Sequence, residues 1–256
     1  MKLRGIVDWN VYWLLFVIAE FTLLLALPYS ISIAGDAIYD FGVSLPTVLA
    51  TQFAQATVLF LVSIFTGLYL GNKIGLEVPI LKSLFEGNGL PESFASTMKL
   101  SLLLGTLVGT VIFILDWFVF SMFIEPLTTR LMAPPLWERF MYSFYAGIVE
   151  EIVLRFFLMT LLVWMSWKIK KTSDNKPTDV GVWLAIFTVS LIYGLGYLAS
   201  SSSMDMDQMH ILGIILLNGI AGIVFGWLYW KKGLEASIIA NLTASLVLFV
   251  VLGSFF

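Results

Sequence analysis

The chain has 256 residues, of which 59% are hydrophobic and 12% charged, with a formal net charge of −3 and a mean hydropathy of +0.95. A soluble domain carries about 25% charged residues, so this composition excludes an ordinary water-soluble fold and points to a bilayer. The absence of cysteine excludes disulfides, thiolate catalysis and cysteine metal sites, and a single histidine, His210, excludes a polyhistidine zinc site within one chain.

Apolar runs predict seven membrane spans, at Val11–Ile33, Leu45–Gly71, Leu100–Ile124, Met141–Trp167, Val182–Ala199, Ile211–Trp230 and Ala236–Phe256. Each is close to the ~20 residues needed to cross ~30 Å of hydrocarbon. The expected fold class is therefore all-α, a polytopic membrane helical bundle forming a single domain over 1–256. Between the second and third spans, Ile74–Lys99 mixes apolar residues with Lys73, Glu77, Lys82, Glu86 and Glu92 nearby and is punctuated by Pro79, Gly87, Gly89 and Pro91. That stretch reads as short amphipathic pieces at the interface. Lys2 and Arg4 before the first apolar run resemble a signal peptide, but the run is longer than the usual h-region and Glu20 interrupts it, so a retained first span is expected.

Assigning loops alternately to two sides orients the chain. One side receives Lys2, Arg4, Lys73, Lys82, Lys99, Lys168, Lys170, Lys171, Lys176, Lys231 and Lys232, and the other only Arg130 and Arg139. Positive charge accumulates on the cytoplasmic side, so the N-terminus is expected inside. The basic residues form no nucleic-acid footprint. The expected partners are the lipid bilayer and a membrane-associated or lipidated protein or peptide. No cofactor or metal is expected, and the oligomeric state is open.

The most informative residues are Glu150, Glu151 and Arg155, two carboxylates and a guanidinium inside the fourth span. One charge at the centre of a membrane helix costs roughly 2.5–3.5 kcal/mol on insertion scales, so three must face protein or a wet cavity. Glu151 and Arg155 are four apart and share a helical face. Glu150 is turned about 100° from Glu151, which lets it face a cavity while its neighbour holds the arginine. A structural ion network is the competing reading. Glu20 and Asp116 are two further intramembrane acids. They read as structural, Asp116 either lying near an interface or pairing with Arg155.

The string Glu150-Glu151-x-x-x-Arg155 resembles the first motif of the CPBP family of CAAX-processing and bacteriocin-processing (Abi-type) membrane endopeptidases. Ser190 to Tyr197, with Tyr193-Gly194, is similar to the second motif. Gly219 to Asn241, with Gly222, Gly226 and Gly233, is similar to the glycine-rich helix, turn and third motif. The resemblance covers a core of about 141–248. It implies metal-independent, glutamate-dependent hydrolysis of peptide bonds at the membrane, with Glu150 as general base and Glu151 and Arg155 in support. It also implies substrates among the C-terminal ends of lipidated or membrane-associated proteins, or secreted peptides.

The departures are at the histidines. The second-motif histidine falls on Tyr197, the third-motif histidine on Asn241, and the Asn or Asp four residues later on Ser245. Tyr197, Asn241 and Ser245 are expected to line the same cavity with different chemistry. An amide serves an oxyanion hole, whereas a phenol with a pKa near 10 is a poor proton shuttle at neutral pH. Two outcomes stay open on the sequence: an endopeptidase of reduced or altered activity, and a catalytically silent scaffold or regulator that binds a peptide or membrane partner. A proton path through Glu20, Asp116 and Glu150 ranks behind both.

His210 is expected near the membrane surface beside Asp205 and Asp207, hydrogen-bonded there and away from catalysis. Gly105-x-x-x-Gly109 and Gly222-x-x-x-Gly226 are expected to pack helices within the bundle. Span boundaries place Tyr197 near one end of its helix and Asn241 nearer the opposite side. A shift of the fifth span toward Met206 is the expected reconciliation.

Overall fold

The computed structural model describes residues 7–35, 44–200 and 208–255. Lys2, Arg4, Asp205, Met206 and Asp207, which enter the expectations above, lie outside the described residues. Among the described residues the regular structure is helical, apart from one isolated bridge between Lys171 and Pro177.

Asp8 starts α1 (Trp9–Ala34) by accepting the amides of Asn10 and Val11 at 2.9 and 3.3 Å, which satisfies two of the orphan donors of the first turn. After α2 (Leu45–Ile74) the chain turns at Gly75, whose φ of 78° suits glycine, into the short α3 (Pro79–Phe85). Thus Ile74–Lys99 contains a short helix and turns, with α4 (Phe94–Ile114) beginning inside its far end. A π-helical turn, Leu115–Val119, and a 3₁₀ turn extend α4 toward α5 (Leu127–Met132).

Next come α6 (Leu136–Glu150), a π-helical segment Glu151–Met159 and α7 (Thr160–Ile169), which follow without a break. The antiparallel pair α8 (Asp179–Ser200) and α9 (Gln208–Lys232) comes after them. Gly233, at φ 93° and pressed against Pro79, opens α10 (Leu234–Ser245), which continues as a π-helical segment Leu246–Val251.

Among the described residues, six helical stretches are long and apolar enough to cross a membrane: Trp9–Ala34, Leu45–Ile74, Phe94–Met122, Asp179–Tyr197, Gln208–Lys232 and Leu234–Ser254. The expected span Met141–Trp167 is helical as well but is not among the six; it is the one that carries Glu150, Glu151 and Arg155. Large apolar side chains point outward in helical stripes, such as Val17, Phe21 and Leu24 on α1 or Leu103 and Leu107 on α4. Exposed apolar surface of this extent is the lipid-facing surface of an integral, multi-pass membrane protein.

Small residues set the close packing. A Cβ on Gly105 would strike the Ala240 carbonyl, and one on Gly109 the backbone of Ala244, so α4 lies directly on α10. Gly222 and Gly226 bring α9 onto Ser190 and Ile186 of α8. Both glycine pairs therefore pack the bundle internally. Asp116 is held by the start of α5 and not by Arg155. It is fully buried and accepts the amides of Leu127 and Thr128, at 2.9 and 2.8 Å, and the Thr128 hydroxyl. A buried carboxylate is best satisfied by several donors at once, and the start of α5 offers them.

Candidate functional site

Glu150 and Glu151 sit at the junction between α6 and the π-helical segment. Glu151 is 0% and Arg155 1% exposed, and their Oε1 and Nη1 are 3.0 Å apart. Asn241 Nδ2 donates to Glu151 Oε1 at 2.9 Å, and the Ser237 hydroxyl donates to Glu151 Oε2. The guanidinium also lies 5.3 Å from the Tyr193 ring centroid and 5.6 Å from that of Phe225, a cation–π setting in a desolvated site. This buried pair joins the helix of Glu151 to α10 and faces rings from α8 and α9.

Glu150 points elsewhere. Its carboxylate accepts the Tyr193 hydroxyl at 2.6 Å and the Tyr197 hydroxyl at 2.9 Å, and Asn241 Nδ2 lies 3.4 Å away. Tyr142 hydrogen-bonds Tyr197 in turn, and Tyr29 stacks on Tyr142 with centroids 4.2 Å apart. Glu150 borders a cavity of about 830 Å³ whose wall also includes Tyr193, Tyr197, Asn241, Ser245 and His210. The division expected from helix geometry, one carboxylate buried with the arginine and one facing a cavity, is the arrangement found.

The structure thus brings all six sequence-selected residues together. Ser245 is joined through its hydroxyl, 3.4 Å from Asn241 Oδ1. Tyr197 and Asn241 both reach the Glu150 carboxylate, while the residues toward Met206, to which the fifth span was expected to shift, lie outside the described residues. Helical side chains lean toward the N-terminus of their own helix. The tyrosines of α8 lean one way and Glu150 of α6 leans the other, which brings both hydroxyls onto its carboxylate. His210 is at a helix start, as expected, and it also borders the cavity. It lies in the first turn of α9 on the cavity wall, in line with Ile214, Leu217, Asn218, Ala221 and Phe225 at helical spacing.

Sequence reasoning missed Tyr193, Ser237 and Tyr142 as site residues. Two of them carried a signal: Tyr193 is four before Tyr197 and Ser237 four before Asn241, so each shares a helical face with a selected residue. It also missed the π-helical segments. All three contain or adjoin buried polar residues, namely Asp116, Glu151 with Arg155, and Ser245. Such bulges re-aim side chains and recur at functional sites.

Glu20 and Asp116 do not line the cavity. Both Glu20 carboxylate oxygens are buried without a hydrogen-bond partner. Among the described residues no group of three or more His, Cys, Asp or Glu is placed to hold a metal.

The site is thus a glutamate pair and an arginine on one helix of a polytopic membrane bundle, joined by polar side chains from two other helices beside a cavity. The family model described as type II CAAX prenyl endopeptidase Rce1-like matches residues 108–247. The match covers more than half of the chain, and the chain belongs to that family. No curated protein and no solved structure matches it.

Proposed function

We propose that the chain is a CAAX-type intramembrane endopeptidase, a single membrane domain in which Glu150 activates water for peptide-bond hydrolysis. The observation that carries this reading is the convergence of Glu150, Tyr193, Tyr197 and Asn241 on one cavity of about 830 Å³, large enough for a peptide segment and water. A carboxylate offers about four lone-pair sites, and three donors reach Glu150, which leaves about one for a water. Glu150 takes a proton from that water as its oxygen bonds to the scissile carbonyl carbon. The same proton then serves the departing amine as the C–N bond breaks.

Asn241 has two amide hydrogens and three acceptors within reach, Ala146 O at 3.2 Å and the two glutamates. Its first task is to hold α10 to α6. It becomes an oxyanion donor by giving up the long contact to Glu150. With no imidazole at the Tyr197 position, turnover is expected to fall about 10²–10⁴-fold below that of a site with a matched acid–base partner.

A silent, partner-binding member is the second reading. It is favoured by the same three donors, which occupy most of the acceptor capacity a water needs. The cluster of lysines on the side holding the α2–α3 turn and the α7–α8 loop supports a cytoplasmic N-terminus.

The test is cleavage of lipid-tethered and prenylated peptides by the purified protein in bilayers, beside Glu150→Gln and the paired change Tyr197→His with Asn241→His. Cleavage by the unaltered chain that is lost in Glu150→Gln supports the peptidase. Cleavage only after the paired change supports the silent reading.

A further inference from the structure

We infer that the cavity opens on the extracytoplasmic face. Its substrate would then be an apolar segment of an exported or outer-leaflet polypeptide, not a cytoplasmic prenylated terminus. This deepens the peptidase reading and depends on it for the chemistry only; the direction of opening is a separate, geometric point.

The helix order assigns each loop to a face. On one face the Leu234 amide meets Glu77 O at 3.2 Å, and Glu235 Oε1 accepts the amides of Ile80 and Leu81 at 2.9 Å each. That face holds the start of α1, the α2–α3 turn, the α7–α8 loop and the α9–α10 turn. On the other, Arg130 of α5 donates to Ile33 O at the end of α1 at 3.1 Å, and Arg139 of α6 donates to Phe249 O and Gly253 O at the end of α10, both at 2.9 Å. Gly213 of α9 sits beneath Leu127 of α5 there.

The cavity wall includes Ile33, Glu125, Thr129, Arg130 and His210 from this second face, and nothing from the α2–α3, α7–α8 or α9–α10 connections. From Glu150 the space therefore leads toward the second face.

The charges then name the faces. Every described lysine lies on the first face, at the α2–α3 turn, the start of α4, the α7–α8 loop and the α9–α10 turn. The second face holds Arg130 and Arg139, and Arg139 is buried and committed to the carbonyls that end α10. Among the described residues, Arg130 is thus the one exposed cation on the face where the cavity opens. Lysine and arginine near span ends retain loops on the cytoplasmic side, so the mouth faces outward.

The wall chemistry sets the ligand class. Val108, Ile112, Leu217, Phe225 and Leu248 supply the apolar surface, which suits an extended segment with large apolar side chains.

The cysteine-free chain allows a clean test. Three single-cysteine variants are expressed in intact cells and treated with a bulky membrane-impermeant maleimide: Ser121→Cys on the proposed outer face, Asn218→Cys on the cavity wall and Ser173→Cys in the α7–α8 loop. The expected result is modification of the first two without lysis and of the third only after lysis. Labelling of Ser173→Cys in intact cells with Ser121→Cys protected overturns the proposal.

A second arm co-expresses the chain with one apolar segment fused either to an exported, membrane-anchored reporter or to a cytoplasmic, lipid-anchored one. Cleavage of the exported reporter alone, lost in Glu150→Gln, supports the substrate class, and cleavage of the cytoplasmic reporter alone overturns it. If labelling is as expected and neither reporter is cut, the orientation stands while the peptidase reading and its substrate fall.

Discussion

Replacing Glu151 by alanine is expected to be among the most damaging single changes in the protein. Arg155 is 1% exposed and its close ionic partner is Glu151, at 3.0 Å. Among the described residues its terminal nitrogens have no well-aligned hydrogen bond beyond that ion pair, and the Tyr193 and Phe225 rings face the guanidinium. At an effective dielectric of 20, two unit charges at this separation attract by about 5 kcal/mol. Ring contacts replace roughly 0.5–2 kcal/mol of that. Stranding one partner of a buried pair costs about 3–5 kcal/mol, and the Asn241 amide and Ser237 hydroxyl lose their acceptor as well.

The expected destabilisation of Glu151→Ala is therefore about 3–5 kcal/mol, measured as reversible unfolding in mixed micelles. Glu151→Ala combined with Arg155→Met removes the stranded charge and is expected to recover at least half of the loss. Additivity of the two single changes within about 0.5 kcal/mol would refute the claim that this pair, rather than each residue's packing, holds the junction.

Three further outcomes follow from the same contacts. Gly105→Leu drives a side chain into the Ala240 carbonyl and Thr243 and is expected to cost at least about 1–3 kcal/mol; Gly196→Ala, which meets nothing within 4 Å, is expected to be neutral in the same unfolding assay. Asp116→Ala leaves two amides at the start of α5 unpaired, at about 1–3 kcal/mol each, so limited proteolysis is expected to cut near residues 123–130 much faster than in the unaltered chain. Glu235→Ala removes the acceptor for Ile80 and Leu81 and is expected to raise hydrogen exchange at those two amides about tenfold or more, whereas Glu235→Gln, which keeps a carbonyl oxygen, is expected to stay near the original rate.

Much of the architecture was legible without coordinates. In a bilayer every backbone polar group must be paired within its own segment, so long apolar runs have little choice but helix. Charges inside such a run must turn inward, so Glu150, Glu151 and Arg155 mark a protein-lined interior by cost alone. The helical pitch further separates Glu150 from the Glu151–Arg155 face. Glycines four apart foretell close helix contact, and the internal packing at Gly105, Gly109, Gly222 and Gly226 follows from it.

What those local rules cannot supply is which faces meet. Asp116 was one more buried acid until the fold set the start of α5 against it, because a carboxylate takes whichever donors the tertiary arrangement delivers. His210 reads from sequence as a residue near the membrane surface; only the packing of α9 against α8 shows that it also borders the cavity. Tyr197 and Asn241 were expected at different depths, yet both reach the Glu150 carboxylate of a third helix.

The π-helical segment after Glu150 adds no apolar period that a sequence reveals, yet it governs where Arg155 points. The sequence by itself determined the solvent, the helical class and the charged trio Glu150, Glu151 and Arg155, since each is a matter of transfer cost residue by residue. Only the tertiary structure decided the donors to Glu150, the volume beside it and the face toward which that volume opens. Those depend on contacts between segments dozens of residues apart.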